Sequence, residues 1–126
     1  MMTEDIKRTI KKLINLPFDF YLKANIFQLA LVRESGYFEL YEQIHEDDIS
    51  AMLHLQPELI DQWLQWSDDN RSSSRWGFGR SERGKCLVGH WPEGEEFDDI
   101  ETSNQFYACA AYIKGDLESI RLLFQK

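Results

Sequence analysis

Between Trp63 and Trp76 the chain reads W-L-Q-W-S-D-D-N-R-S-S-S-R-W, and few arrangements accommodate that passage. Trp63 and Trp66 are three residues apart, so a helix places both on one side. From Ser67 to Arg75 every residue is polar, and the oxygens of Ser67, Asp68, Asp69 and Asn70 can take up the amides freed where a helix ends. The spacing therefore predicts a helix that stops near Asp69, a corner, and a return to the apolar interior at Trp76. Arg71 is expected to pair with Asp68 or Asp69 and to lock the corner. Trp63, Trp66, Arg71, Trp76 and Trp91 are read as structural residues.

A hairpin signal follows the corner. Arg75 to Arg80 and Lys85 to Trp91 flank a Ser81-Glu82-Arg83-Gly84 turn, which predicts an antiparallel hairpin over 75–91. Pairing Arg80 with Lys85 would set Trp76, Phe78, Leu87 and Trp91 on one buried face, with Gly77, Gly79, Cys86, Val88 and His90 on the other.

Helical patterns account for most of the remainder. Ile6, Ile10, Leu13 and Ile14 recur at helical spacing behind Thr3, a natural cap, with Lys7, Arg8, Lys11 and Lys12 on the solvent side. Pro17 follows that helix, and a second is expected over 24–32, ending near Gly36. Tyr37 to Ile44 is ambiguous, since Phe38, Leu40 and Ile44 suit a strand while Glu39, Glu42 and Gln43 are better helix formers, and a short strand is the preferred reading. A helix over 46–55 follows, with Asp47 and Asp48 in its first turn, where the helix dipole favours anions. Pro57 is expected as the first residue of the next helix. Pro92 to Ser103 reads as an acidic loop. A long helix from Asn104 carries the stripe Phe106, Cys109, Ala110, Ile113, Leu117, Ile120 and Phe124. The expected fold class is α+β: one domain over 1–126, four to five helices packed on a small antiparallel sheet.

At 126 residues, 43% of them hydrophobic, the chain can bury its own core. Ile26 to Val32 is its longest nearly apolar run, well short of the roughly 20 residues that span a bilayer. Thr3, Glu4 and Asp5 open the first helix without the basic and apolar regions of a secretory signal, so a cytoplasmic location is expected. Cys86 and Cys109 are too few for a disulfide framework and are expected as free, buried thiols. A net charge of −8 speaks against nucleic-acid binding, which needs clustered Lys and Arg.

Motifs for catalysis or metal binding are weak. Cys86-x-x-x-His90 is the one metal-like spacing, and zinc would need two or three further ligands. His45-Glu46-Asp47-Asp48 lacks the alternating ligands and central glycine of a calcium loop. Ser72-Ser73-Ser74 has no nucleophile elbow and no histidine placed to serve it. No catalytic residue, metal or cofactor is expected, and an enzyme is the least favoured class. Trp63 and Trp76 could instead stack a small ligand anchored by Arg71, as in a regulatory binding module.

Charge layout is more informative. Between Arg33 and Arg71 there is no Lys or Arg, while ten carboxylates give that stretch a local net charge of −10. Glu93, Glu95, Glu96, Asp98 and Asp99 add a second acidic run. Such segregation can steer a basic partner. The segment from Pro57 to Trp76, the hairpin, and Ala108-Cys109-Ala110-Ala111-Tyr112-Ile113-Lys114 together resemble the bacterial immunity proteins of polymorphic and contact-dependent inhibition toxins, over about residues 35 to 122. Arg75 stands where that pattern has glycine. The resemblance implies a cytoplasmic protein without catalysis of its own that binds one cognate toxin C-terminal domain and blocks its active site or substrate groove. A nuclease toxin would present a basic groove. Glu42, Glu46, Asp47, Asp48, Asp68, Asp69, Glu93, Glu95, Glu96, Asp98 and Asp99 are the expected partner-binding residues.

Overall fold

The computed structural model describes residues 3–17, 28–70, 76–90 and 98–124, with the backbone alone at 28, 29, 31, 68–70, 76, 90, 98–100, 123 and 124. The chain is α+β. The described elements are α1 (Glu4–Ile14), α2 (Gln28–Ser35), α3 (Tyr37–Leu40) with a 3-10 turn (Tyr41–Gln43), α4 (Glu46–Leu55), α5 (Leu59–Asn70), β1 (Trp76–Arg80), β2 (Cys86–His90), β3 (Asp98–Thr102) and α6 (Gln105–Phe124). The three strands form one antiparallel sheet in the order β1-β2-β3.

Local chemistry sets most of these boundaries. Thr3 caps α1, its Oγ1 accepting from the Ile6 amide at 3.2 Å, and Asn104 caps α6, its Oδ1 accepting from the Tyr107 amide at 3.1 Å. Gly36 ends α2 at φ 92°, the left-handed conformation that suits glycine after a helix. Its carbonyl accepts from the amides of Glu39 and Leu40, so the chain turns directly into α3. The strand expected over 37–44 is therefore a helix with a 3-10 turn. Tyr37, Phe38 and Ile44 are buried, and the interval from Tyr37 through Tyr41 to Ile44 is a helical stripe, consistent with the helix-forming Glu39, Glu42 and Gln43. The next helix begins at Leu59, after a turn through Pro57 and Glu58, rather than at Pro57.

The hairpin forms, in a different register. Arg80 pairs with Cys86, Phe78 with Val88, and Trp76 with His90. Ser81 to Lys85 form a five-residue loop, closed by a 2.7 Å bond from the Ser81 amide to the Lys85 carbonyl, with Gly84 at φ 77°. One residue of slip exchanges the faces of β2 relative to the expected pairing. Phe78, Cys86 and Val88 are accordingly the buried set, while Leu87 is on the opposite face. The acidic run after Pro92 is not loop throughout: its last part is β3, with Val88 opposite Ile100. Aspartate disfavours strands, but on an edge strand carboxylates are tolerated and discourage pairing with other chains.

α6 is the axis of the core. Tyr112 stacks on Phe78 with ring centroids 5.7 Å apart and meets Trp63 edge-on at 6.1 Å; Trp63 in turn meets Trp66 edge-on at 6.0 Å. Trp63 Nε1 donates to the Ile14 carbonyl at 2.9 Å, tying α5 to the end of α1. Ser67, expected at the corner, is buried instead, and its Oγ accepts from the Phe78 amide at 2.8 Å, so α5 covers part of the free edge of β1. Cys86 and Cys109 are free and buried where β2 meets α6; burial, then the neighbouring Cys86, pushes the Cys109 thiol up. Among the described residues no helix is long and apolar enough to cross a membrane.

Candidate functional site

α4 and α6 run antiparallel. At one end the His54 imidazole stacks on the Phe106 ring, centroids 3.7 Å apart. At the other, Tyr41, Glu42, Ile44, His45, Glu46, Asp47, Lys114 and Glu118 line an open cavity of about 520 Å³. Three of the expected partner-binding residues thus converge: Glu42 from the 3-10 turn, and Glu46 and Asp47 from the first turn of α4. Asp48 has a different duty, accepting from the His45 amide at 3.4 Å at the start of its own helix.

The floor of the cavity is a charge network that periodicity could have revealed. Lys114, Glu118 and Arg121 recur at i, i+4 and i+7 on α6, a spacing that lines up one helix face. Arg121 grips Glu118 with two bonds, Nε to Oε2 at 2.9 Å and a terminal nitrogen to Oε1 at 3.2 Å, and lies 3.8 Å from the centroid of the Tyr41 ring. The Tyr37 hydroxyl donates to Glu118 Oε2 at 2.5 Å. Lys114 Nζ donates to the Tyr41 carbonyl at 2.8 Å and lies over the Tyr37 ring. Tyr41 donates to Glu42 at 3.0 Å.

These contacts determine which charges face outward. Burial raises the Glu118 pKa, but the bonds from Arg121 and Tyr37 and the field of Lys114 outweigh it and hold the carboxyl below its usual range. Burial, reinforced by the bond to Glu118, keeps the Tyr37 phenol protonated far above its ordinary value. Lys114 is pulled down by burial, with Glu118 acting against that fall. Glu118 is thus matched from within by Arg121 and Lys114, while Glu42 and Asp47 stand exposed at the rim and Glu46 half-buried between them. The arrangement suits a cationic or hydrogen-bond-donating group from outside, since the remaining carboxylates only accept.

The other expected residues are dispersed. Asp68 and Asp69 lie at the end of α5 and Asp98 and Asp99 open β3, all placed by backbone alone; none belongs to the described lining of the cavity. Arg71, Trp91, Glu93, Glu95 and Glu96 lie outside the described residues, and Trp76 is placed by backbone only. Trp63 is 1% exposed and Trp66 0%, so neither offers a ring face to a small ligand. Among the described residues no three His, Cys, Asp or Glu side chains are grouped to hold a metal. No protein-family model matches the chain, and comparison with curated proteins and with solved structures gives no significant match.

Proposed function

We propose that the protein is a cytoplasmic inhibitor that binds a cognate toxin domain and occludes its active site or substrate groove through an acidic surface. One observation carries this reading: the stretch without Lys or Arg between Arg33 and Arg71 folds so that Glu42, Glu46 and Asp47 converge around the cavity beside α6. Carboxylates clustered in this way produce a negative potential complementary to a groove built for a phosphate backbone, and the resemblance to immunity proteins supplies the class of partner.

Co-expression tests the reading. The protein should rescue cells from the toxin encoded beside its gene and co-elute with it as a 1:1 complex. Glu42→Lys, Glu46→Lys and Asp47→Lys together should weaken that complex on the order of 100-fold, by analogy with charge pairs at other interfaces, measured by calorimetry. A complex unchanged by the triple reversal would exclude this surface, and failure to bind or rescue would exclude the function.

A further inference from the structure

The end of the α4–α6 seam opposite the cavity carries two exposed large hydrophobic side chains. Leu55, the last residue of α4, is 75% exposed, and Tyr107 of α6 is 39% exposed; they adjoin, in sequence, the stacked pair His54 and Phe106. A lone exposed leucine is unremarkable. Here it directly follows a histidine stacked on Phe106, on a helix whose other end carries the acidic rim. Eight residues separate Asp47 from Leu55, about 12 Å along the helix.

We infer that this seam receives a segment of a partner protein carrying a bulky apolar side chain and a Lys or Arg about 12 Å from it, two turns apart on a helix. Charge complementarity selects this occupant: α4 and its flanks carry no Lys or Arg between Arg33 and Arg71, and Glu58 follows Leu55 by three residues. On α6, Lys114 is engaged by the Tyr41 carbonyl and Arg121 by Glu118, which leaves Glu46 and Asp47 to meet a cation. The apolar residue docks beside Leu55 and displaces water, and the cation reaches Asp47 and Glu46. An anchor in a desolvated patch with charges at its margin is where interface affinity concentrates. The inference rests on the reading of the acidic face as a partner surface and adds the anchor to it.

A library of displayed random peptides about 16 residues long, long enough to span the seam, selected on the full-length protein, tests this. Enriched peptides should combine a bulky apolar residue with Lys or Arg. Their affinity should fall at least about tenfold with Leu55→Glu and with Asp47→Lys, and stay within about twofold with Lys11→Glu on α1. All three positions are exposed, and circular dichroism checks that the variants remain folded. No enrichment, or peptides indifferent to Leu55→Glu, would overturn the inference. Toxin binding that survives Leu55→Glu would overturn it while leaving neutralisation standing. Seam-dependent peptides without toxin rescue would uphold it and remove the toxin.

Discussion

Ser67 joins three elements through one hydroxyl: it sits on α5, accepts from the Phe78 amide of β1, and is hydrogen-bonded to the Tyr112 hydroxyl of α6, opposing the rise that burial imposes on that phenol. Ser67→Ala removes the acceptor and leaves a buried amide without its partner. Such a loss costs about 1–3 kcal/mol, more than a typical net hydrogen bond contributes, because the orphaned donor cannot recover its water. Urea unfolding should show the midpoint falling with an unchanged slope; a change below about 0.5 kcal/mol, the usual size of a neutral surface substitution, would mean the bond does not hold the edge. Residues of this scale were only partly legible. Burial of Trp63 and Trp66 followed from their spacing, but Ser67 read as a corner residue because a hydroxyl near a helix end usually serves its own chain. Its partner across the fold lies eleven residues on, beyond a corner whose path the sequence does not specify.

Among the elements, α1, α4 and α6 were legible because capping chemistry and long apolar periods agree. The hairpin was legible in existence and not in register, since four and five loop residues both fit Ser81 to Lys85 and each choice turns a different set of β2 side chains inward. Strand β3 was masked by its charge. The network on α6 yields a pH dependence whose sign follows from geometry. Glu118 is held below its ordinary value of 4.5 by Arg121, Tyr37 and Lys114 against the opposing effect of burial. A carboxyl depressed in the fold contributes stability that is fully present above the unfolded pKa and lost as pH falls through the folded one. Glu118→Gln should therefore lower stability at neutral pH and flatten the loss of stability below about pH 4.5, the range in which an ordinary glutamate begins to protonate. Acid titration followed by circular dichroism reads both; a variant whose acid limb runs parallel to the parent's would exclude Glu118 as the group responsible.

The molecule as a whole carries its charge unevenly, with Lys7, Arg8, Lys11 and Lys12 on α1 and none of the basic residues between Arg33 and Arg71. Lys7 and Arg8 are offset by Glu4 at 3.7 Å and Asp5 at 3.2 Å, so the field of α1 is weaker than its lysine count suggests. Exposed charges of one sign act over roughly a Debye length, about 10 Å at 0.1 M salt, and accelerate encounter more than they strengthen the final complex. Association with a basic partner, the toxin domain under the proposed function, should therefore slow on the order of tenfold between roughly 50 and 500 mM salt, while dissociation changes little. Replacing Glu42 and Asp47 by Gln and Asn should flatten that dependence, because the charge is removed while much of the side-chain shape remains. Lys11→Glu should leave the slope the same or make it steeper, since it adds to the negative field without touching the cavity. Stopped-flow measurements across this salt range distinguish steering from contact: loss of the slope in the first variant, with a dissociation rate close to the parent's, assigns those carboxylates to attraction at a distance. A salt-independent association rate in the parent would instead leave the acidic stretch as a solvated surface.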